Sequence, residues 1–207
     1  MKVAEKIRTI DEPKEVTTTV NKSSFIAQVY QVTSEHAIKD FLTEAKKKYY
    51  DASHHCYACK LVSGNVRYSD AGEPGGTAGL RILNAIEHFD LANQLVIVSR
   101  FFGGIKLGVG PLGKAYYQSA YQVLNDSKIS TKQLYQRATI LSEFDQVNLI
   151  HRILSNHKSI ILGSEYPGKL EISCLLKAAE CDAISQKITD AGKNRIILTI
   201  HPEFEYR

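Results

Sequence analysis

Two glycine-rich segments constrain the fold of this chain more than any other feature of its sequence. They are residues 68–79, YSDAGEPGGTAG, and residues 100–111, RFFGGIKLGVGP, in a chain with only 13 glycines among 207 residues. An ordered glycine loses more backbone entropy on folding than any other residue. Glycine at this density therefore predicts either a very close approach of backbone to backbone or a bound ligand.

Length and composition are those of an ordinary globular protein. The 207 residues, 43% hydrophobic and 23% charged, suffice for one large or two modest domains. The net charge of +4 permits contact with nucleic acid without requiring it. The four cysteines, the lack of a signal-like N-terminal segment and the lack of an apolar run of about 20 residues predict a cytoplasmic protein with reduced thiols and no membrane association.

The first part of the chain has the pattern of an α+β domain. Strands are predicted at 16–20, 24–30, 54–62, 65–69 and 94–102, and helices at 34–49, 79–89 and 112–124. Asn21 and Lys22 form the predicted turn of the first hairpin, and Ser34 is the predicted N-cap of the first helix. This order predicts a sheet with its helices packed on one face.

After a polar link at 125–131 the pattern restarts. The predicted order is strand 137–144, helix 146–156, strands 159–166 and 169–176, helix 181–191 and strand 195–201, with a turn at Pro167-Gly168. That βαββαβ order is typical of a ferredoxin-like domain. We therefore expect two domains, residues 1–130 and 131–207, the second a binding or docking module.

The second glycine-rich segment lies between a predicted buried strand and a predicted helix. Free backbone N–H groups there, together with the positive end of the helix, could hold a phosphate or carboxylate, with Lys106 and Lys114 adding charge. The glycines concerned are Gly103, Gly104, Gly108 and Gly110. The alternative is a tight connection in which glycine only supplies positive φ.

The first glycine-rich segment adds two carboxylates, Asp70 and Glu73, before a predicted helix. These could hold Mg²⁺ through its waters, or accept backbone N–H bonds at the helix start, where Thr77 is the predicted N-cap. Arg100 ends a buried strand and is a residue type that grips phosphate. The two segments together predict one cleft with acidic and cationic members.

Residues 54–59, HHCYAC, contain types that ligate zinc, but strand alternation places His54 and Cys56 on one face and Cys59 on the other. No second ligand pair completes a site, so no metal is predicted. Cys56 beside His54 fits either an activated nucleophile or, more commonly, a small buried residue.

Three segments in order, residues 52–58, 70–79 and 100–108, resemble the IMPACT N-terminal family and its bacterial two-domain YigZ-type members. The resemblance implies that the first domain shares the fold of the second domain of a small-subunit ribosomal protein and of sugar kinases of the GHMP type. It implies that the second resembles domains III and V of elongation factor G. His54 belongs to the family motif.

These observations predict a binding protein that contacts RNA or a ribosome- or translation-associated protein through the glycine-rich cleft and takes part in the regulation of translation. No cofactor is predicted, because no catalytic set can be assembled from the spacings. The alternative is an enzyme that acts on a phosphorylated small molecule or nucleotide, with Asp70 and Glu73 holding Mg²⁺.

Overall fold

The computed structural model describes residues 4–166, 168–192 and 195–207. Their contacts form two compact units, one of residues 7–131 and one of residues 4–6 with 132–207. The strands are β1 Lys6–Ile10, β2 Lys14–Val20, β3 Ser23–Gln31, β4 His54–Lys60, β5 Val66–Ser69, β6 Gln94–Phe101, β7 Ile129–Ser142, β8 Ile160–Glu165, β9 Leu170–Lys177 and β10 Ile196–Tyr206. The helices are α1 Glu35–Lys48, α2 Gly79–His88, α3 Val109–Asn125, α4 Val147–Asn156 and α5 Cys181–Gly192.

The first unit is built on an antiparallel sheet in the order β2-β3-β6-β4-β5. Strand β6, QLVIVSRF, lies at its centre and is buried at every position but the last. In register, Val98 lies opposite Ala27 on β3 and Cys56 on β4. A strand with apolar side chains on both faces must have other elements packed against both faces of its sheet.

Helices supply that cover from opposite sides of the sheet. On one side α2 and α3 pack on Val96 and Val98, and on the other α1 packs on Leu95 and Ile97. The prediction that the helices share one sheet face is therefore wrong. Ser34 does cap α1, since its hydroxyl accepts from the N–H of Ala37 at 3.3 Å.

Several elements differ from the sequence prediction. Helix α3 begins at Val109 rather than at 112, because Gly108 at φ 80° turns the chain into it and Pro111 falls in the first turn, where no intrahelical N–H is needed. Strand β1 was not predicted. Strand β7 begins at Ile129, inside the predicted polar link, where it runs beside β1.

The second unit contains the predicted order β7-α4-β8-β9-α5-β10. Its sheet has the order β10-β7-β9-β8. Apolar residues of α4 and α5, among them Ile150 and Ile184, pack on Ile140 and Ile172. Strand β10 extends beyond the predicted end at 201, with a register shift between Ile200 and Phe204.

The predicted turn at Pro167-Gly168 falls partly outside the described residues, since Pro167 is not among them. Gly168 has φ 97°, as a turn glycine does. No helix in the part of the chain that the structure describes is long and apolar enough to cross a bilayer.

Candidate functional site

The loop between β5 and α2 is organised by the carboxylate of Asp70. Its Oδ2 accepts from the N–H of Gly76 at 2.8 Å, and its Oδ1 accepts from those of Ala78 and Gly79 at 2.9 and 2.8 Å. Burial works to raise the pKa of Asp70, but these three donors outweigh it and hold that pKa below its ordinary value. Asp70 is therefore the residue that caps α2.

Thr77, the predicted N-cap, does not cap this helix. Its hydroxyl donates to the carbonyl of Pro74 at 2.6 Å, and the N-cap position is Ala78, whose side chain makes no cap bond. The reason is that the Asp70 carboxylate already takes the N–H groups that a threonine cap would bind.

A buried ion pair joins the two glycine-rich segments. Nη1 of Arg100 donates to Oε1 of Glu73 at 2.7 Å, and both side chains are almost completely buried. The hydroxyl of Tyr116 donates to the same oxygen at 2.8 Å. The sequence predicts that Arg100 faces a ligand anion and that Glu73 either approaches Mg²⁺ or accepts backbone N–H bonds, but in the structure each is the other's partner.

His54 borders this pair at the surface. Its Nδ1 lies 3.0 Å from the carbonyl of Ala71, and its Nε2 lies 3.9 Å from Oε2 of Glu73. The neighbouring Cys56 is fully buried, and that burial raises its thiol pKa to about 12. A thiol with so high a pKa is a poor nucleophile. The described residues contain no group of three or more histidine, cysteine, aspartate or glutamate side chains that could hold a metal.

Gly103 is a site of close backbone approach. A β-carbon there would lie 2.1 Å from the carbonyl carbon of Lys22, and its N–H donates to the hydroxyl of Ser23 at 3.2 Å. Gly104 and Gly108 have positive φ, and no atom would contact a β-carbon at either. At Gly103 the structure therefore agrees with the alternative of a tight connection between strand and helix.

A cavity of about 660 Å³ opens between the first turns of α2 and α3, and we call it the glycine pocket. Its wall is backbone at Gly75, Gly76 and Gly110, where a β-carbon would meet no neighbour, and Arg81 and Lys114 stand at its sides. Both charged residues among the described lining are cations.

Residues of both helix starts line this pocket. Leu80 and Arg81 belong to the first turn of α2, and Val109 and Gly110 to the first turn of α3. The start of α2 is already capped by the Asp70 carboxylate, whereas α3 has no side-chain cap, and a helix start favours negative charge. The two cations and the start of α3 give the glycine pocket the charge of an anion site.

The site residues predicted from the sequence coincide only in part with the lining of the glycine pocket. Thr77 and Gly110 line the pocket, whereas Asp70, Glu73, Arg100 and Gly103 make contacts within the protein. Lys106 is exposed on the connecting loop and does not appear in the lining. Lys114, which is predicted from the sequence to add charge, lines the pocket, as do Arg81, Asn84 and Tyr117, which are not among the predicted site residues. The sequence feature that could have indicated Arg81 and Asn84 is their i, i+3 spacing, which places both side chains on one face of the predicted second helix.

Comparisons with known proteins place the chain in a family. Residues 21–124 match the Impact N-terminal domain. The chain is 30% identical over 192 residues to the IMPACT family member YigZ of Escherichia coli (strain K12), covering 90% of this chain and 93% of that protein. It is 28% identical to the IMPACT family member YvyE of Bacillus subtilis (strain 168), covering 91% of this chain and 88% of that one. The chain therefore belongs to the IMPACT family.

A solved structure, described as the crystal structure of a hypothetical protein, is similar over nearly the whole length. It covers 97% of this chain and 100% of its own, with 28% identity and a TM-score of 0.68. The similarity thus extends over both units of the fold.

Proposed function

We propose that this protein binds the phosphate groups of RNA in the glycine pocket and acts, without catalysis, as a regulatory partner of the translation apparatus in the cytoplasm. The observation that carries the proposal is the charge of the pocket. Arg81 and Lys114 make no ion pair within residues 4–166, 168–192 and 195–207, and the described lining contains no carboxylate. Two unpaired cations beside the start of α3, which has no side-chain cap, suit a phosphodiester.

Fold and family support the choice of RNA over other anions. The sheet order β10-β7-β9-β8 is the fourth, first, third and second strand of the βαββαβ unit. All its pairings are antiparallel, which supports the ferredoxin-like assignment and its likeness to elongation factor G domains. The family resemblance supports a ribosomal-protein-like first unit. Fold alone is a weak guide to function, so the pocket bears the main weight.

The test is binding of a labelled single-stranded RNA, followed by fluorescence anisotropy at several salt concentrations. The variant Arg81→Ala/Lys114→Ala should bind more weakly, and the slope of log K against log salt should fall by about 0.7 for each phosphate that the variant no longer neutralises. A matched control is Lys39→Ala/Lys47→Ala, which removes the same charge from exposed positions of α1, on the other face of the sheet. Equal weakening by both variants would reject the pocket and leave only a general effect of charge.

A second candidate follows from the size of the pocket, which lies within the range of small-molecule sites, about 300–1,000 Å³. It is an enzyme acting on a nucleotide or other phosphorylated small molecule. Bonds within the protein already occupy both oxygens of Asp70 and Oε1 of Glu73, so neither carboxylate presents two unbonded oxygens to the Mg²⁺ that such an enzyme would require. Saturable, Mg²⁺-dependent ATP binding that displaces RNA would favour this candidate.

A further inference from the structure

A second cavity, of about 480 Å³, lies between α3 and the edge strand β2, and we call it the tyrosine groove. Its described lining is uncharged throughout, in contrast to the cationic glycine pocket. It includes Thr18, Thr19, Tyr117, Gln118, Tyr121 and Gln122. Aromatic rings stack on nucleobases, and side-chain amides and hydroxyls form hydrogen bonds to the edges of bases and to sugars.

Tyr117 lines both cavities, so the glycine pocket and the tyrosine groove adjoin across one ring. The centroids of Tyr117 and Tyr121 are 6.0 Å apart with an interplanar angle of 31°. Tyr121 in turn packs on Phe89 at 5.1 Å, which fixes its position. The two half-buried tyrosines therefore form an aromatic surface next to the anion site, and their ring contacts keep it in place.

The polar side chains of the groove differ in whether they already have a hydrogen-bond partner. The amide nitrogen of Gln122 already donates to Asp126, at 3.0 and 2.9 Å, and the hydroxyl of Thr18 is bonded to that of Ser119. Gln118 is exposed and makes no side-chain hydrogen bond to any described residue. Its amide offers both a donor and an acceptor to a base edge.

From these contacts we infer that the tyrosine groove is the base-binding subsite for single-stranded RNA whose phosphate lies in the glycine pocket, an inference that rests on the function proposed above. A base stacks on Tyr117 while Gln118 contacts its edge, and the adjacent phosphate meets Arg81 and Lys114. In a duplex the base faces are covered by their neighbours, so this arrangement selects unpaired strands.

The experiment compares two labelled probes, a short uridine oligonucleotide and an abasic oligonucleotide of the same length. Tyr117→Leu keeps an apolar side chain but removes the ring. It should weaken binding of the uridine probe about tenfold, the range expected when one base no longer stacks. Gln118→Ala changes a side chain that lines the tyrosine groove and not the glycine pocket. It should weaken binding of the uridine probe, while binding of the abasic probe and the salt slope stay unchanged, because this variant keeps the whole lining that meets the phosphate.

The matched control is Tyr50→Leu, which removes a tyrosine that is 84% exposed and lies outside both cavities. Thermal melts verify that each variant is folded. Wild-type affinity of Tyr117→Leu for uridine RNA, or equal weakening of both probes by Gln118→Ala, would overturn the base subsite. If Arg81→Ala/Lys114→Ala still weakened binding in that case, the proposed phosphate function would stand. If no RNA bound at all, both would fall.

Discussion

The buried pair of Glu73 and Arg100 predicts a large stability loss when one partner is removed. Arg100→Leu eliminates the 2.7 Å bond to Glu73 and leaves a carboxylate whose side chain is 4% exposed with only the hydroxyl of Tyr116 as a close partner. Breaking a buried ion pair on one side costs about 3–5 kcal/mol. The free energy of unfolding of the first unit should fall by that amount.

Urea unfolding followed by circular dichroism measures the loss, and hydrogen exchange of the β6 amides assigns it to the first unit. Arg67→Leu is the control, because Arg67 pairs with Glu35 at the surface of the same unit and its removal should leave the unfolding midpoint nearly unchanged. Replacing both Glu73 and Arg100 with leucine should cost less than the sum of the single changes. An Arg100→Leu protein within about 1 kcal/mol of wild type would refute the reasoning.

Three further predictions concern the Asp70 carboxylate, two of the glycines and the Cys56 thiol. Asp70→Asn should lower stability by about 1 kcal/mol at neutral pH. Because the folded pKa of Asp70 is depressed, its contribution is present above the unfolded value and is lost as pH falls through the folded one. Wild type and variant should therefore converge in acid, and parallel melts across pH would contradict this. Gly103→Ala should destabilise by about 1–3 kcal/mol through its clash with Lys22, whereas Gly110→Ala should leave the melting temperature equal or higher. Cys56, with its pKa raised to about 12, should react with a thiol reagent only after unfolding, and rapid labelling of the native protein would disprove its burial.

Strand periodicity predicted much of the first sheet. The alternation that places Cys56 and Cys59 on opposite faces is confirmed, since they belong to different core clusters. The same alternation puts Arg100 on the face of Val96 and Val98, under α2 and α3. The sequence thus contained a signal that Arg100 points inward, but its position at a strand end next to glycines favoured an exposed interpretation.

Contacts between distant loops could not be predicted in the same way. Glu73 lies on a loop whose path is set by the bonds of Asp70 to three N–H groups, and nothing in local propensity fixes which carboxylate turns inward. The glycine pocket depends equally on tertiary structure, because it forms only where the first turns of α2 and α3 lie side by side. Nothing in the sequence of α2 alone distinguishes Arg81 from other exposed residues of an amphipathic helix. Arg81 lines the pocket only because α2 packs beside α3.

The position of β6 in the chain determines when the first unit can fold during synthesis. The preceding strands emerge as two separate hairpins, β2 with β3 and β4 with β5, which share no strand until residues 94–101 are released. A lone two-stranded hairpin is at best marginally stable in water. The nascent chain therefore remains open until β6 joins β3 to β4, and a fragment that stops before residue 94 lacks the strand that unites its sheet.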